Sequence, residues 1–245
     1  MKRIITMLLT TTALMVGVMA NASTKVETWK TAEGADVYYL NAPEIPIVDL
    51  ILSVDAGAIR EGNAYGLASL TASMMTTGTS RLDEEDFLVE LDNLQSSISA
   101  GASTYSTYFS LRSLSKESAL TPSLALFYEV LEDAKFEEKI FKRDRAQAID
   151  GQKAILDNPG AIASELYYAA LYPNSVIGAT SKMLQESLST LTLEDLQAFR
   201  DQYYNMQGAK IVFVGDISKT QAATIAANIS ETLGVGEIHQ APAQI

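Results

Sequence analysis

A strand followed by a helix is encoded in residues 45–78, IPIVDLILSVDAGAIREGNAYGLASLTASMMTTG. The apolar run that ends at Val54 is typical of a strand, and the turn-forming residues 55–57 follow it directly. From Gly66 to Thr77 apolar residues recur at helical spacing, and Gly78 then provides a stop. This stretch therefore predicts a β-strand, a connecting turn and a helix.

Strand-like segments lie on both sides of this stretch, and a long helical region separates the last strand from the others. Short apolar or alternating patterns predict further strands at Val26–Trp29, Val37–Leu40, Ser96–Ala102, Tyr105–Leu114 and Ile211–Val214. Because the strands come first and one returns late, we expect an α+β fold rather than a doubly wound parallel sheet. The sheet is predicted to be mostly antiparallel, with helices packed on one face.

The acidic run Asp83–Asp86 could be taken for a metal-binding cluster. It directly precedes Phe87 and Leu91, which belong to one helical face. An acidic first turn complements the helix dipole, and Asp83 can cap the helix. We therefore predict that this run is the start of a helix rather than a metal site.

Residues 1–22 have the features of a secretory signal peptide. Lys2 and Arg3 precede the apolar run Ile4–Ala20, and small residues follow before Ser23. The run contains four threonines and has no stop-transfer charges behind it, so a membrane span is the less favoured interpretation. The sequence therefore predicts an exported, periplasmic protein with no stable membrane anchor, cleaved before Ser23.

The remaining chain is predicted to form one domain over residues 23–234, followed by a linker-like tail over residues 235–245. The tail contains Gly236 and Pro242 and has no apolar periodicity. A tail of this kind is also compatible with a truncated fragment of a longer two-domain protein. That alternative stays open.

Charge and composition exclude several classes of function. The formal net charge of −12 repels phosphate backbones, which argues against nucleic-acid binding. The chain contains no cysteine, which excludes disulfides, thiolate nucleophiles and iron–sulfur clusters. Its single histidine, His239, lies in the tail and is expected to be solvated rather than a metal ligand.

Four local patterns carry a resemblance to a known family. They are Gly66-Leu67-Ala68 opening a helix that ends at Gly78-Thr79; the helix around Arg145 followed by Asp157-Asn158-Pro159; Leu171-Tyr172-Pro173 with Gly178; and Thr192–Leu196 leading through Phe199 to Val214-Gly215-Asp216. In this order and spacing they resemble one half of a pitrilysin/insulinase-type zinc metallopeptidase, an inverted zincin. The resemblance covers Val26 to about Leu233.

The resemblance also implies that a zinc site has been lost. In that family the helix after Gly-Leu-Ala carries His-x-x-Glu-His, and the matching positions here are Ser69, Ala72 and Ser73. A further glutamate ligand matches Gly151, or Asp150 one residue away. A neutral hydroxyl is a poor zinc ligand and alanine cannot accept a proton. We therefore expect no catalytic residue and no metal or other cofactor in this chain, with zinc only in an active partner, and close helix packing around the small residues.

The same family adds an extended peptide to an edge strand beside the zinc helix. Ser97, Ile98, Ser99 and Ala100 match that strand. Main-chain pairing needs no particular side chains, so peptide binding could survive the loss of catalysis. An ordinary solvent-facing edge strand explains the same residues equally well.

Two further patterns are given structural interpretations. Ser113 and Lys116 have the Ser-x-x-Lys spacing of serine acyl-transferases, but the accompanying motifs are absent and we interpret the spacing as coincidence. Tyr167, Tyr168 and Tyr172 could form an aromatic binding patch, but helical core packing is the simpler explanation.

The leading hypothesis is therefore a non-catalytic subunit that forms a heterodimer with an active zinc metallopeptidase subunit of the same family and helps to enclose an unfolded peptide. A second hypothesis is a stand-alone peptide-binding or chaperone-like module that uses the edge strand. Residual hydrolysis through Ser113 is the least favoured.

Overall fold

The computed structural model describes residues 25–173 and 175–237. The predicted signal peptide, residues 238–245 of the predicted tail and His239 lie outside the described residues. Within the described ranges, no helix is both long enough and apolar enough to cross a membrane.

Six strands and eight helices are found in the described part of the chain. The strands are β1 (Glu27–Lys30), β2 (Asp36–Asn41), β3 (Ile47–Val54), β4 (Ser97–Ala102), β5 (Thr107–Leu114) and β6 (Lys210–Gly215). The helices are α1 (Leu67–Met74), α2 (Glu84–Leu94), α3 (Glu117–Asp133), α4 (Glu138–Ile155), α5 (Pro159–Leu171), α6 (Ser181–Thr190), α7 (Leu193–Tyr203) and α8 (Lys219–Leu233). All six strands lie where the sequence predicts them, with ends that differ by one or two residues.

The strands form one sheet in the order β1-β2-β6-β3-β5-β4. Every neighbouring pair is antiparallel except β2 and β6, which are parallel. The predicted α+β fold with a mostly antiparallel sheet is therefore confirmed. Parallel strands need a long crossover connection, and the many elements between β2 and β6 in the chain provide one.

One face of the sheet is buried under the helices. In β3, Leu50 and Leu52 are buried. Leu50 pairs with Leu111 of β5 and Phe213 of β6, and these partners are also buried. Leu52 pairs in the same way with Phe109 and Ile211, which are buried too. The opposite face carries exposed or half-buried residues, including an ion pair between Arg112 and Asp49. This alternation is the period-two pattern that the sequence shows.

Helix α1 lies at the centre of the helical layer. It packs against β4 and β5 on the sheet side and against α4 and α7 on the other. Gly66 precedes the helix in the left-handed region, with φ of +91°, which allows the chain to turn sharply into it. The sequence motif Gly66-Leu67-Ala68 is thus the entry to the helix on which the candidate site is built.

Candidate functional site

The candidate site is a groove of about 650 Å³ between α1 and α4, with Leu184 and Leu188 of α6 along one side. Ser69 and Ser73 line it from α1, because residues four apart lie on the same face of a helix. Gln152 lines it from α4. The structure therefore brings two of the four predicted positions together in a groove.

The other two predicted positions differ from this pair. Ala72 is fully buried in the core beneath the groove. Gly151 is exposed on α4 and does not line the groove itself, although its neighbour Gln152 does. A Cβ atom added at Gly151 would meet no atom within 4 Å. From the sequence we expect close helix packing around these small residues. Ala72 is packed in this way, whereas Ser69 and Ser73 are exposed in the groove. The match of the four positions to the family motif stays a prediction.

A network of charged side chains lines part of the groove. Arg143 on α4 donates to both carboxylate oxygens of Glu84 on α2, with N to O distances of 2.6 and 2.7 Å. Its Nε also donates to Asp144 Oδ1 at 2.7 Å, and Ser73 Oγ donates to Asp144 Oδ2 at 3.3 Å. These bonds hold the pKa of the Glu84 carboxyl below its ordinary value. The network joins α1, α2 and α4.

Sequence reasoning missed this network because its partners are far apart in the chain. Glu84 and Arg143 are separated by 59 residues, and Ser73 and Asp144 by 71. The local prediction for the same acidic run is confirmed, since Asp83 Oδ1 accepts a hydrogen bond from Asp86 N at 2.9 Å and caps α2. Capping has a local signal, whereas the pairing of Glu84 has none.

The donor set of the groove does not fit zinc. Ser69 and Ser73 offer neutral hydroxyls, and Ala72 and Gly151 offer no donor. The carboxylates of Glu84 and Asp144 are engaged by Arg143. Across residues 25–173 and 175–237, no group of three or more acidic or histidine side chains could hold a metal ion. No catalytic step through a metal is therefore assigned to these residues.

A buried carboxylate fixes the start of α1. Glu61 Oε1 accepts a hydrogen bond from Gly66 N at 3.0 Å, and Oε2 accepts one from Ala68 N at 2.8 Å. Burial raises the pKa of Glu61 to about 6, and the backbone N–H donors oppose this rise only in part. Sequence reasoning missed this cap because Glu61 lies outside the spacing of a capping box.

The predicted peptide-binding residues lie at the edge of the sheet. β4 pairs with β5 and is the last strand in the order, and α1 packs beside it. Ser97 and Ser99 are exposed, Ile98 is buried and Ala100 is half-buried. Ser99 Oγ and Ser110 Oγ are 2.7 Å apart across the strand pair. The arrangement offers an extended segment beside α1, and peptide binding there stays a prediction.

Ser113 does not have the surroundings of a nucleophile. It is buried, and its hydroxyl donates to Ser123 Oγ and to the Leu114 carbonyl, both at 3.2 Å. A substrate carbonyl therefore has no access to this oxygen. The interpretation of the Ser-x-x-Lys spacing as coincidence agrees with this burial.

Residues 36–182 match the family described as insulinase, peptidase family M16. Among curated proteins, the chain is similar to the mitochondrial-processing peptidase subunit beta of Blastocladiella emersonii, with 20% identity over 203 residues, which are 82% of this chain and 43% of that protein. The subunit beta of Homo sapiens is 20% identical over 176 residues, which are 71% of this chain and 36% of that protein. The chain spans less than half the length of these curated relatives.

Solved structures share the fold. The inactive domain of a peptidase M16 from Pseudomonas fluorescens is 33% identical, with a TM-score of 0.82 over 89% of this chain and 54% of that one. The periplasmic protease PqqL from Escherichia coli is 20% identical, with a TM-score of 0.74 over 90% of this chain and 25% of that one. Pitrilysin is 18% identical, with a TM-score of 0.72 over 92% of this chain and 24% of that one. The last two likenesses show the fold alone.

The family match and the fold agree with each other. The matched region, residues 36–182, is more than half of the 245-residue chain and includes the edge strand β4 and the helices α1 and α4, between which the groove lies. The chain therefore belongs to the insulinase family, peptidase family M16.

Proposed function

We propose that the chain is an exported, non-catalytic M16 subunit, which pairs with an active zinc-bearing member of the family and helps to enclose or hold its peptide substrate. The observation that carries the proposal is the groove between α1 and α4. Ser69 and Ser73 line this groove, and their neutral hydroxyls are poor zinc ligands. The partner would supply the metal and the general base.

The similar proteins support this assignment. The Pseudomonas fluorescens structure is described as an inactive domain, and the curated relatives are named as subunits. The Escherichia coli relative is described as periplasmic, in agreement with a signal peptide over residues 1–22 that is cleaved before Ser23. The contribution of this chain would then be a surface that completes the binding chamber of its partner.

Reconstitution with an active relative tests the proposal. The mature chain is mixed with an exported M16 enzyme that carries His-x-x-Glu-His and is encoded in the same genome, and the mixture is separated by size exclusion. We expect a heterodimer, and we expect the hydrolysis of a fluorogenic peptide to rise at least tenfold when the chain is added. A chain that neither comigrates with the enzyme nor changes its rate would refute the pairing.

A second candidate function is a stand-alone peptide-binding or chaperone-like module. The edge position of β4 favours it, because the side of an edge strand that pairs with no other strand can add a peptide through main-chain hydrogen bonds. Isothermal titration of the isolated chain with an unfolded peptide separates the two functions, since only this one requires binding without a partner.

A third alternative is that the polypeptide is part of a longer M16 protein. The chain covers 54% of the Pseudomonas fluorescens structure. The mass of the native protein, measured by immunoblot of periplasmic extracts, decides this alternative.

A further inference from the structure

Helix α5 is mostly apolar and yet none of its residues is buried. Its 13 residues, PGAIASELYYAAL, contain one charged side chain, that of Glu165. Glu165 is used inside the domain, where its Oε2 accepts a hydrogen bond from Ser181 N at 2.8 Å and contacts Ser181 Oγ at the start of α6. The one charged group of the helix thus faces inward.

The outward face of α5 has the spacing of a core-packing helix. Its exposed members recur at positions i, i+3, i+4, i+7 and i+8: Ala163, Leu166, Tyr167, Ala170 and Leu171. Leu166 is 61% exposed, Tyr167 60% and Leu171 51%. A stripe of this kind normally packs against another element. We name these five residues the α5 stripe.

Tyr167 of the stripe and the neighbouring Tyr168 and Tyr172 make ring contacts with one another. The rings of Tyr167 and Tyr168 lie edge to face with centroids 5.5 Å apart, and Tyr168 stacks on Tyr172 at 6.5 Å. Tyrosine is enriched at interface hot spots, and side chains that are ordered before binding lose less entropy when they bind.

We propose that the α5 stripe is the surface through which this chain docks on a second M16 domain, namely that of the active partner. The inference rests on the proposed pairing. In similar proteins a domain of this fold is part of a longer polypeptide. This chain covers 54% of the Pseudomonas fluorescens structure and 24% of pitrilysin. An apolar helix face left uncovered in the single domain fits an apolar groove on such a neighbour.

A second copy of this chain fits the stripe less well. The formal net charge of −12 is the same on both copies, and the stripe contains no cation that would offset their repulsion. The helix is about 20 Å long at 1.5 Å per residue, so it would form the centre of an interface whose rim comes from neighbouring elements. The matching surface on the partner should be lined by aliphatic and aromatic side chains.

A pair of charge substitutions tests the stripe. Leu166→Glu with Leu171→Glu places two carboxylates in it, and Leu88→Glu with Val89→Glu is the matched control on α2, where these residues are 59% and 53% exposed. The Kd for the active M16 relative is measured by surface plasmon resonance. We expect at least a 100-fold weaker Kd for the α5 variant and less than a twofold change for the control. A single Tyr167→Lys variant repeats the test if the double variant melts at a lower temperature than the unmodified chain.

The outcomes separate the two proposals. A complex that forms with unchanged affinity in the α5 variant overturns the docking surface and leaves the pairing intact. Failure of the unmodified chain to bind the relative overturns both. Light scattering of the isolated chain provides a third outcome, because a dimer that the α5 substitutions dissociate would mean that a second copy occupies the stripe and would overturn the assigned partner.

Discussion

A single carboxylate sets the position of the helix on which the site is built. Glu61 is buried and accepts hydrogen bonds from Gly66 N and Ala68 N, so the direction of α1 depends on one side chain outside the helix. Its raised pKa implies that the charged form is the costlier one to bury. Stability should therefore respond to pH at this residue.

We predict that Glu61→Gln removes a pH-dependent part of the stability. The pKa of Glu61 in the folded protein, about 6, lies above its ordinary value of 4.5. Because the folded state binds this proton more tightly than the unfolded state, the proton stabilises the fold fully below pH 4.5. This stabilisation is lost as the pH rises through 6. The free energy of unfolding in urea, wild type minus variant, should fall by about 2 kcal/mol between pH 4 and pH 7.5. A difference that stays flat or rises with pH would contradict this account.

The predicted positions of the lost motif can be tested by restoring ligands. Ser69→His with Ser73→His places two imidazoles four residues apart on the exposed face of α1, and we expect micromolar binding of Zn²⁺ by isothermal titration. If Gly151 is the position of the family's further glutamate ligand, adding Gly151→Glu should tighten binding about tenfold, and a Cβ atom at this position meets no neighbour that would oppose the substitution. The control is Gln152→Glu in the same double-histidine background. If Gln152→Glu tightens binding more than Gly151→Glu, the assignment of Gly151 is wrong by one residue.

At the scale of elements, the turn after β6 depends on glycine. Gly215 has φ of +130°, and a Cβ atom there would lie 2.1 Å from the Ile47 carbonyl oxygen. The residue also pairs with Val48, so the chain cannot move away without breaking the register of β3 and β6. Two separate penalties, backbone conformation and steric overlap, therefore act at this position.

We predict that Gly215→Ala lowers the free energy of unfolding by more than about 3 kcal/mol. Gly34→Ala is the control, because Gly34 also has a positive φ, of +95°, but a Cβ atom there meets nothing within 4 Å. It should cost only about 1 kcal/mol. Urea unfolding of both variants measures the difference, and equal losses would mean that the contact with Ile47 contributes nothing.

Elements with a local signal were predictable from the sequence, and elements defined by their surroundings were not. The apolar run that ends at Val54 predicted β3, whereas nothing local indicated that β2 and β6 are parallel. Core packing of Tyr167 and Tyr168 was wrong, since both are exposed on α5. Apolar periodicity indicates a helix face that can pack against another element, but it does not indicate whether that element belongs to the same domain.

At the scale of the whole molecule, the groove and the sheet edge lie on either side of α1. Ser69 and Ser73 face the groove with α4, and the same helix packs against β4. In the candidate site, the paired serines could be predicted from the resemblance, but the ion pairs of Arg143 could not, because they join helices that are distant in sequence. A peptide laid along β4 would therefore run beside α1.

Backbone pairing along β4 predicts an unusual selectivity. A peptide that adds to the edge of the sheet binds through its own N–H and C=O groups, so its sequence should matter little and its main-chain donors should matter greatly. Peptides are titrated into the isolated chain, or into its complex with an active relative that has been inactivated at the general base. The Kd of a scrambled peptide should lie within about threefold of the Kd of the original peptide. N-methylation of alternate amides along one edge of the peptide removes the donors that face β4, and binding should weaken at least tenfold, since each lost hydrogen bond costs about 1 kcal/mol. Methylation of the opposite edge of the peptide is the control, and it should leave the Kd unchanged. If the Kd is unchanged by methylation of either edge but rises when the sequence is scrambled, the peptide binds through its side chains at another surface, and pairing with β4 is contradicted.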